Sequence, residues 1–425
     1  MRATKILLFG FPIFVMALAA CSGVAEPSAP VAEAGPTATG AEPSTSGTET
    51  ELGAAAEESI IAAPSIQIGE ISLTWEVQEV GEGIKPAFAI DEEGVAHVAF
   101  LTEADHGGLF YAQNRDGGFE VETVSEGYFY GPIDLALSPS GEPIIAYHDH
   151  QAVQVDMALG DEVIAHLTKS GWDLTTVADD GHDGWDNSIA VDDAGVWHTA
   201  AIEPSQFGFV NGVEYATLID GVVTVVPVGS GPIKYEFGTS IQLDPSGSPS
   251  VAYYNDRDQQ LEFASLGAGG WSVEVVDDQG DAGRYAALVY DADGDPHIAY
   301  YVAESRESGT VRYAWKEASA WQTENVGILQ NLQMGQIGAR KITSLAIDKE
   351  GSLHLAYTDR DRLIYARRTD NGWAGQEVVE PGSRALGQLV ELAIGSDGSP
   401  HLLWFDAVST SPSLEGIVRY AVGNE

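Results

Sequence analysis

The chain has 425 residues, of which 64 are acidic and 20 are basic, and its formal net charge is −44 at neutral pH. This acidic excess argues against a nucleic-acid partner, because phosphate binding needs clustered lysine and arginine. It also argues against electrostatic attachment to an anionic membrane surface, so that any membrane association would have to come from a lipid anchor.

Residues 1–20 have the pattern of a signal peptide. Arg2 and Lys5 precede an apolar run over residues 6–18, and two alanines follow it. The run is shorter than the roughly 20 apolar residues that a permanent transmembrane helix needs. We therefore predict that the chain is exported and that this segment is removed.

Leu18-Ala19-Ala20-Cys21 resembles the lipobox of bacterial lipoproteins, which implies cleavage before Cys21 and attachment of fatty acyl chains such as palmitate. Cys21 is the only cysteine, so it cannot form an internal disulfide, and an exported protein has little reason to keep a free thiol. An ordinary signal peptide with a chance cysteine is the alternative. The resemblance implies a lipid-anchored protein that faces the periplasm or the cell exterior.

Residues 21–65 are rich in Ala, Pro, Ser, Thr, Gly and Glu. The segment has too few apolar side chains to offset the entropy of ordering. We predict a disordered stalk that carries the domain formed by residues 66–425.

A unit of about 50 residues then recurs seven times. A turn glycine marks each copy, and an aspartate precedes it by three residues in five of the seven. Asp can cap a type I turn with its side chain, and Gly then takes the left-handed position. The seven glycines are Gly94, Gly141, Gly195, Gly247, Gly294, Gly351 and Gly398.

Alternating apolar residues around each turn predict four strands per unit. Four antiparallel strands repeated seven times are typical of a β-propeller, although a solenoid of parallel strands is a competing architecture. The last unit ends without its fourth strand, and Leu73–Val80 matches the fourth strand at Gly270–Val276. We predict an all-β, seven-bladed propeller of four-stranded antiparallel blades, closed by an N-terminal strand that completes the last blade.

Two polar patterns follow the repeat, and we interpret both as structural. Five histidines stand three residues after their turn glycines, so they are spread around a ring and cannot converge on one metal. The segment Asp291–Asp295 resembles the start of a calcium loop but lacks the glutamate that an EF-hand requires, and it coincides with a hairpin turn. The histidines are His97, His198, His297, His354 and His401.

The Asp-x-x-Gly turn, the following His-Ile-Ala-Tyr strand and the Gly-Trp fourth strand resemble the sialidase-like or BNR-type propeller repeats of secreted bacterial proteins. The resemblance covers residues 70–425 and implies carbohydrate as a ligand class. The sequence lacks the Ser-x-Asp-x-Gly-x-x-Trp box and arginines matching the sialidase triad, so the resemblance does not extend to sialidase activity.

Candidate ligand-binding residues are the aromatic, charged and histidine side chains of loops that depart from the repeat. Aromatic rings stack on sugars while polar groups bond hydroxyls, so these loops favour glycan binding at the mouth of the axis. We assign no catalytic residue, no cofactor and no metal ligand, and we expect a monomer whose partner is an extracellular glycan or protein. The candidates are Tyr130, His148, His150, His182, Trp185, Tyr235, Arg257, Tyr285 and Arg360.

Two alternatives remain open at this level. A polysaccharide lyase or glycosidase of propeller type could use His148 or His150 as base and Tyr130 or Tyr235 as acid, or hold a divalent metal with the help of His182. A protein-interaction scaffold is the other alternative.

Overall fold

The structure is a computed structural model that describes residues 65–102, 107–115, 117–127, 129, 131–150, 160–178, 184–204, 210–230, 237–305, 308–330, 341–359, 362–378, 389–409 and 414–425. The predicted signal peptide, Cys21 and nearly all of the stalk lie outside these residues. Among the described residues, no helix has the length and apolar character needed to cross a membrane.

The described residues form 29 strands arranged in seven sheets, which we number as blades 1 to 7 in chain order. Two N-terminal strands precede blade 1 and join the last two blades. The strands are β1 (Ile66–Ile68) and β2 (Thr74–Glu82); blade 1, β3 (Ile84–Ile90), β4 (Ala96–Thr102), β5 (Gly108–Arg115) and β6 (Gly118–Glu126); blade 2, β7 (Asp134–Leu137), β8 (Pro143–Asp149), β9 (Asp161–Thr168) and β10 (Gly171–Ala178); blade 3, β11 (Trp185–Val191), β12 (Trp197–Pro204), β13 (Val210–Ile219) and β14 (Val222–Ser230); blade 4, β15 (Thr239–Leu243), β16 (Pro249–Asn255), β17 (Gln260–Gly267) and β18 (Gly270–Asp277); blade 5, β19 (Asp281–Tyr290), β20 (Pro296–Ala303), β21 (Ser308–Glu317) and β22 (Ala320–Gln330); blade 6, β23 (Thr343–Ile347), β24 (Leu353–Asp359), β25 (Arg362–Thr369) and β26 (Gly372–Glu377); and blade 7, β27 (Val390–Ile394), β28 (Pro400–Ser409) and β29 (Glu415–Asn424).

Each blade is an antiparallel meander whose first strand is innermost. The first strands of successive blades contact one another around a common axis, and β27 of blade 7 contacts β3 of blade 1. Buried aliphatic and aromatic side chains fill the space between neighbouring sheets. The predicted seven-bladed propeller is therefore confirmed.

Ring closure follows the prediction as well. Strand β2 pairs with β29 from Thr74 opposite Asn424 to Glu82 opposite Ile417, and it supplies the fourth strand of blade 7. An ion pair between Arg419 and Glu79, 3.0 Å apart, reinforces this pairing. Closure leaves the ring without an open edge between its first and last blades.

Strand β1 is an addition that the sequence did not indicate. It pairs in parallel with β26 and gives blade 6 a fifth strand. Ile66 and Ile68 pack over Gly375, where a Cβ atom would lie only 2.7 Å from Ile66 Cδ1. The lack of a side chain at Gly375 is therefore what lets the extra strand lie against this sheet.

The repeated turn has the predicted geometry. All seven turn glycines have φ between 80° and 86°, the left-handed region that favours glycine. In blade 3, Gly195 N–H donates to Asp192 O at 2.9 Å, and the Asp192 carboxylate accepts the N–H of Val196 at 2.8 Å. The aspartate thus satisfies turn amides that would otherwise have no protein acceptor.

The five repeated histidines are structural, as predicted. Each lies on the second strand of its blade, with Nδ1 at 2.5–2.7 Å from the hydroxyl of a tyrosine on the third strand. In three blades Nε2 also lies within 3.4 Å of the turn aspartate. These contacts join the turn to the two middle strands of the same blade.

The two ends of the ring differ in their connections. The hairpins between first and second strands and between third and fourth strands lie at one end, which we call the turn face. The loops between second and third strands and the connections between blades lie at the other end, which we call the mouth face. Of the candidate residues that the structure describes, His148, His150, Trp185 and Arg257 belong to loops or strand ends on the mouth face.

Candidate functional site

An axial cavity of about 180 Å³ opens among the inner strands on the mouth side. Its turn-face side is a ring of seven buried apolar side chains, one from each blade, at the position six residues before the turn glycine. These side chains pack into the apolar clusters between neighbouring blades, and we call the cavity that they border the axial recess. The seven residues are Phe88, Leu135, Ile189, Ile241, Leu288, Leu345 and Leu392.

Hydrogen bonds between blades hold the wall of this recess. At four of the junctions between blades, the residue immediately before the ring residue accepts a hydrogen bond through its side chain. The donor is the backbone N–H of the ring residue in the next blade, and each bond is 3.0 Å long. Since the acceptor and donor lie on different blades, the bonds fix the spacing of the inner strands. The acceptors are Asp134, Ser188, Ser240 and Ser344.

A partly buried ion pair lies in the wall. Lys341 Nζ is 2.7 Å from Glu391 Oε1. Burial lowers the pKa of Lys341, but the charges of Glu391 and Asp134 outweigh this effect and raise it to about 12. Burial raises the pKa of Glu391 to about 7, against the attraction of Lys341. The lysine is therefore cationic at neutral pH, and its charge favours the ionised form of Glu391 against the effect of burial.

Asp186 and Asn187 follow Trp185 at the start of the inner strand of blade 3 and line the recess. Asp186 has no solvent exposure and a φ of 49°, in the left-handed region. Lys85 and Tyr285 occupy the same repeat position in blades 1 and 5, with φ of 51° and 55°. Left-handed non-glycine residues store backbone strain and often occur at functional sites.

The structure brings three predicted residues together beside the recess, between blades 2 and 3. The ring of His148 lies 5.2 Å from that of Trp185 and 6.3 Å from that of His150, measured between centroids. All three are buried, and His148 has no exposed surface. They form an internal cluster rather than an open binding surface.

A buried carboxyl that the sequence analysis missed belongs to the same cluster. Glu162 lies directly opposite His148 on the neighbouring strand. Burial raises the pKa of Glu162 to about 7, and the charge of Glu214 acts in the same direction. Gly184 packs against Glu162 so closely that a Cβ atom would lie 2.5 Å from Glu162 Cβ. Through Gly184 the cluster adjoins the start of the strand that carries Asp186.

The other candidate residues have separate places. Tyr285 lines the recess and makes an edge-to-face contact with Phe237, with ring centroids 5.4 Å apart. Arg257 is exposed in the loop between β16 and β17, where its N–H donates to Asn255 Oδ1 at 3.1 Å. Tyr130, His182, Tyr235 and Arg360 lie outside the described residues.

Sequence reasoning missed the polar wall of the recess because it searched the loops and not the inner strands. One repeat position carries the signal. The residue seven positions before the turn glycine is Ala or Ser in five blades, and it is Asp134 in blade 2 and Glu391 in blade 7. A charged side chain at a repeat position that is small in the other blades could have indicated the polar wall of the recess from the sequence.

Within the described part of the chain, no group of three His, Cys, Asp or Glu side chains could hold a metal ion. The proposed metal site with His182 involves a residue outside that part, and it stays a prediction.

Comparison with protein-family models and with curated proteins finds no match. Among solved structures, an ulvan lyase described as a new polysaccharide lyase family, PL25, is 13% identical with a TM-score of 0.54, covering 82% of this chain and 96% of its own. An α-L-arabinanase of Penicillium chrysogenum is 11% identical with a TM-score of 0.46, covering 82% and 98%. The Aleuria aurantia lectin is 13% identical with a TM-score of 0.44, covering 70% and 95%. At these identities the likeness concerns the propeller fold.

Proposed function

We propose that the protein is an exported lipoprotein whose propeller binds an extracellular glycan at the mouth of its axis. The observation that carries this proposal is the polar recess on the mouth side, with carboxyl, amide and ammonium groups above an apolar ring. Concave sites with a few converging polar groups are the usual form of a small-ligand site. Its volume is smaller than the roughly 300–1,000 Å³ of drug-sized sites, which suits one sugar unit at the end of a chain.

The comparison supports a glycan as the ligand class. The ulvan lyase, with which the chain shares its fold over most of its length, was also solved with a sugar fragment bound. Carboxyl and amide groups suit sugar hydroxyls, because their oxygens accept the hydrogen bonds that hydroxyls donate. The shared fold therefore supports a glycan as the ligand class, and the polar residues of the recess support the mouth of the axis as its binding site.

The test is binding of the intact protein to a broad glycan panel, with Asn187→Ala as the site variant. Loss of one hydrogen-bonding group should weaken binding about fivefold to tenfold. Asn371→Ala is the matched control, because Asn371 is exposed in a hairpin of the turn face. Equal affinities for both variants and the parent would contradict binding in the recess, and absence of any glycan binding would leave the protein-interaction scaffold as the better hypothesis.

A carbohydrate-active enzyme is a second candidate because of Glu162. A buried carboxyl with a pKa near 7 is poised to exchange a proton at neutral pH, as general acids and bases must. His148, directly opposite, and Trp185 complete a protected polar cluster. The glycan mixtures should therefore be assayed for new unsaturated or reducing ends, and Glu162→Gln should abolish any such product if this cluster is catalytic.

A further inference from the structure

The outermost strand of blade 3 differs in composition from its counterparts. Strand β14 (Val222–Ser230) contains five valines and no charged residue. The fourth strands of the other six blades each contain at least one Asp or Glu. Strand β1, which adds a fifth strand to blade 6, is also uncharged but has only three residues. In a chain of net charge −44, β14 is therefore the one long uncharged strand at an outer edge of the described propeller.

Blade 3 also lacks a hydrogen bond that links other blades. At three junctions, the indole N–H of a fourth-strand tryptophan donates to a glutamate on the fourth strand of the preceding blade, at 2.7–3.3 Å. The strand register places Val226 at the position of this glutamate in blade 3. No described residue accepts the buried indole N–H of Trp271 in blade 4. A buried donor without an acceptor costs about 1–3 kcal/mol, so the stability of this junction does not account for the apolar composition of β14.

Apolar side chains along this edge are accessible to a partner. Ile219, Val222 and Val225 are 54%, 65% and 38% exposed. On the neighbouring blades, Leu174 of β10 and Val273 of β18 are 47% and 44% exposed, and both strands contact β14. Contiguous exposed apolar surface marks interaction sites on soluble proteins. Because β14 is outermost in its sheet, one side of its backbone also has no neighbouring strand.

The hairpin before β14 determines which backbone groups face that open side. Its two central residues have φ of 53° and 75°, as in a type I′ turn, so Val222 forms a hydrogen-bonded pair with β13. Hydrogen-bonded and non-hydrogen-bonded pairs alternate along an antiparallel ladder. The N–H and C=O groups of Val223 and Val225 therefore point away from β13. Pro227 has the next such position, where an edge strand tolerates a residue without an N–H.

We propose that β14 pairs with β14 of a second copy of the chain, antiparallel across a two-fold axis at Thr224, and so forms a symmetric dimer. This register places Val223 of each copy opposite Val225 of the other, with the N–H and C=O groups of both residues bonded, and Pro227 lies beyond them. Self-pairing is favourable here because no charged side chain of β14 meets its own copy. The other described fourth strands would bring acidic side chains together, which destabilises a sheet.

The dimer differs from the monomer expected from the sequence, and it is independent of a ligand in the axial recess. The net charge of −44 on each copy opposes association, so dimerisation should depend on salt. At an ionic strength of about 0.15 M the Debye length is about 8 Å, and only charges close to the interface repel. At about 0.01 M the Debye length is about 30 Å, so we expect a weaker dimer.

Sedimentation equilibrium of the intact protein at concentrations from about 1 to 200 μM measures the association. Every sample carries Cys21→Ser, so that neither an acyl chain nor a disulfide at this position joins two copies. Val225→Glu should weaken the dimer at least about tenfold, because it places a carboxylate on each side of the axis. Val273→Glu is the matched control and should leave the dimer unchanged. Both valines are exposed and lie opposite the repeated alanine of their blades, so both variants should fold.

Cross-linking tests the position of the axis. Thr224 would face Thr224 of the other copy in a non-hydrogen-bonded pair, with Cα atoms about 4.5 Å apart, within the range of about 4.4–6.8 Å that a disulfide spans. Thr224→Cys in the Cys21→Ser background should therefore give a covalent dimer under mild oxidation. Ser272→Cys, at the equivalent position of β18, is the control and should stay monomeric on a denaturing gel.

The outcomes are decisive for the dimer and leave the glycan proposal untouched, because glycan binding is measured separately. A monomer at every concentration would overturn self-pairing and make an extended apolar segment of another protein the better occupant of this edge. Equal weakening by Val225→Glu and Val273→Glu would place the interface elsewhere. Equal cross-linking of Thr224→Cys and Ser272→Cys would contradict the proposed two-fold axis.

Discussion

The histidine of each second strand and the tyrosine of each third strand occur together. The five blades with His at this position all have the partner Tyr, whereas blade 2 has Ile144 with Ile164 and blade 4 has Ser250 with Phe263. In blade 4, Tyr290 of the next blade donates to Ser250 Oγ at 2.7 Å. Buried polar groups need partners, so the pair is kept or replaced as a unit.

This pairing makes the propeller sensitive to acid. Burial lowers the pKa of His354 below its ordinary value of 6.5, so the folded protein holds a neutral imidazole where the unfolded chain would bind a proton. The stability that this provides is complete above pH 6.5 and is lost as the pH falls through the lowered pKa. Each unit of lowering corresponds to about 1.4 kcal/mol.

We therefore expect His354→Gln to be less stable at pH 7, by about 1–3 kcal/mol from its lost hydrogen bonds. Its free energy of unfolding should also fall less steeply than that of the parent between pH 7 and 5. Denaturant unfolding at several pH values measures both effects. Glu162 and Glu391 titrate in the same range in both proteins, so their contribution cancels in the difference. Parallel curves of unfolding free energy against pH for the parent and His354→Gln would contradict a lowered pKa of His354 in the folded protein.

Among the elements, β2 has a role that no other fourth strand has. It is equivalent to β18, with Trp75 and Val77 corresponding to Trp271 and Val273. Strand β18 follows β17 through a hairpin, whereas β2 is separated from its partner β29 by nearly the whole propeller. Its hydrogen bonds with β29 join the first and last blades without a covalent link.

Proline substitution at equivalent positions should reveal this difference. Val77 and Val273 are 51% and 44% exposed, and both lie opposite the repeated alanine of the third strand, Ala421 and Ala264. Proline fixes φ and cannot donate a ladder hydrogen bond, so each substitution should weaken its outermost strand. We expect Val77→Pro to lose more unfolding free energy than Val273→Pro and to make β29 susceptible to limited proteolysis. Equal losses would mean that closure by β2 adds no stability beyond that of an ordinary fourth strand.

At the scale of the whole molecule, the net charge of the protein affects how it can be attached to a membrane. A net charge of −44 opposes adsorption to anionic lipids, so the proposed attachment depends on the lipid at Cys21. One acyl chain binds membranes only marginally, and the several chains of a lipoprotein would hold the protein stably.

Cys21→Ser should release the protein from the membrane fraction and abolish incorporation of labelled palmitate. Ser22→Ala is the control, since it alters the neighbouring residue and leaves the thiol in place. Fractionation of cells expressing each variant makes the comparison. A Cys21→Ser protein that stays in the membrane fraction would contradict the lipid anchor.

The sequence by itself determined the blade count, the turns and the closure, because each depends on local periodicity. An alternating strand and an Asp-x-x-Gly turn are fixed by neighbouring residues, and seven repetitions reinforce the pattern. The structural role of the histidines was also predictable, since a residue at one repeat position cannot converge on a single point.

The tertiary structure alone decided which side chains meet. His148, Trp185 and Glu162 come from three strands of two blades, and burial between those blades, rather than any local pattern, made them an internal cluster. Asp134, Asp186 and Glu391 are more than 50 residues apart from one another and meet because ring closure brings the inner strands to one axis. Local interactions specify a repeat, but the chemistry of a shared axis depends on contacts between residues that are distant in the chain.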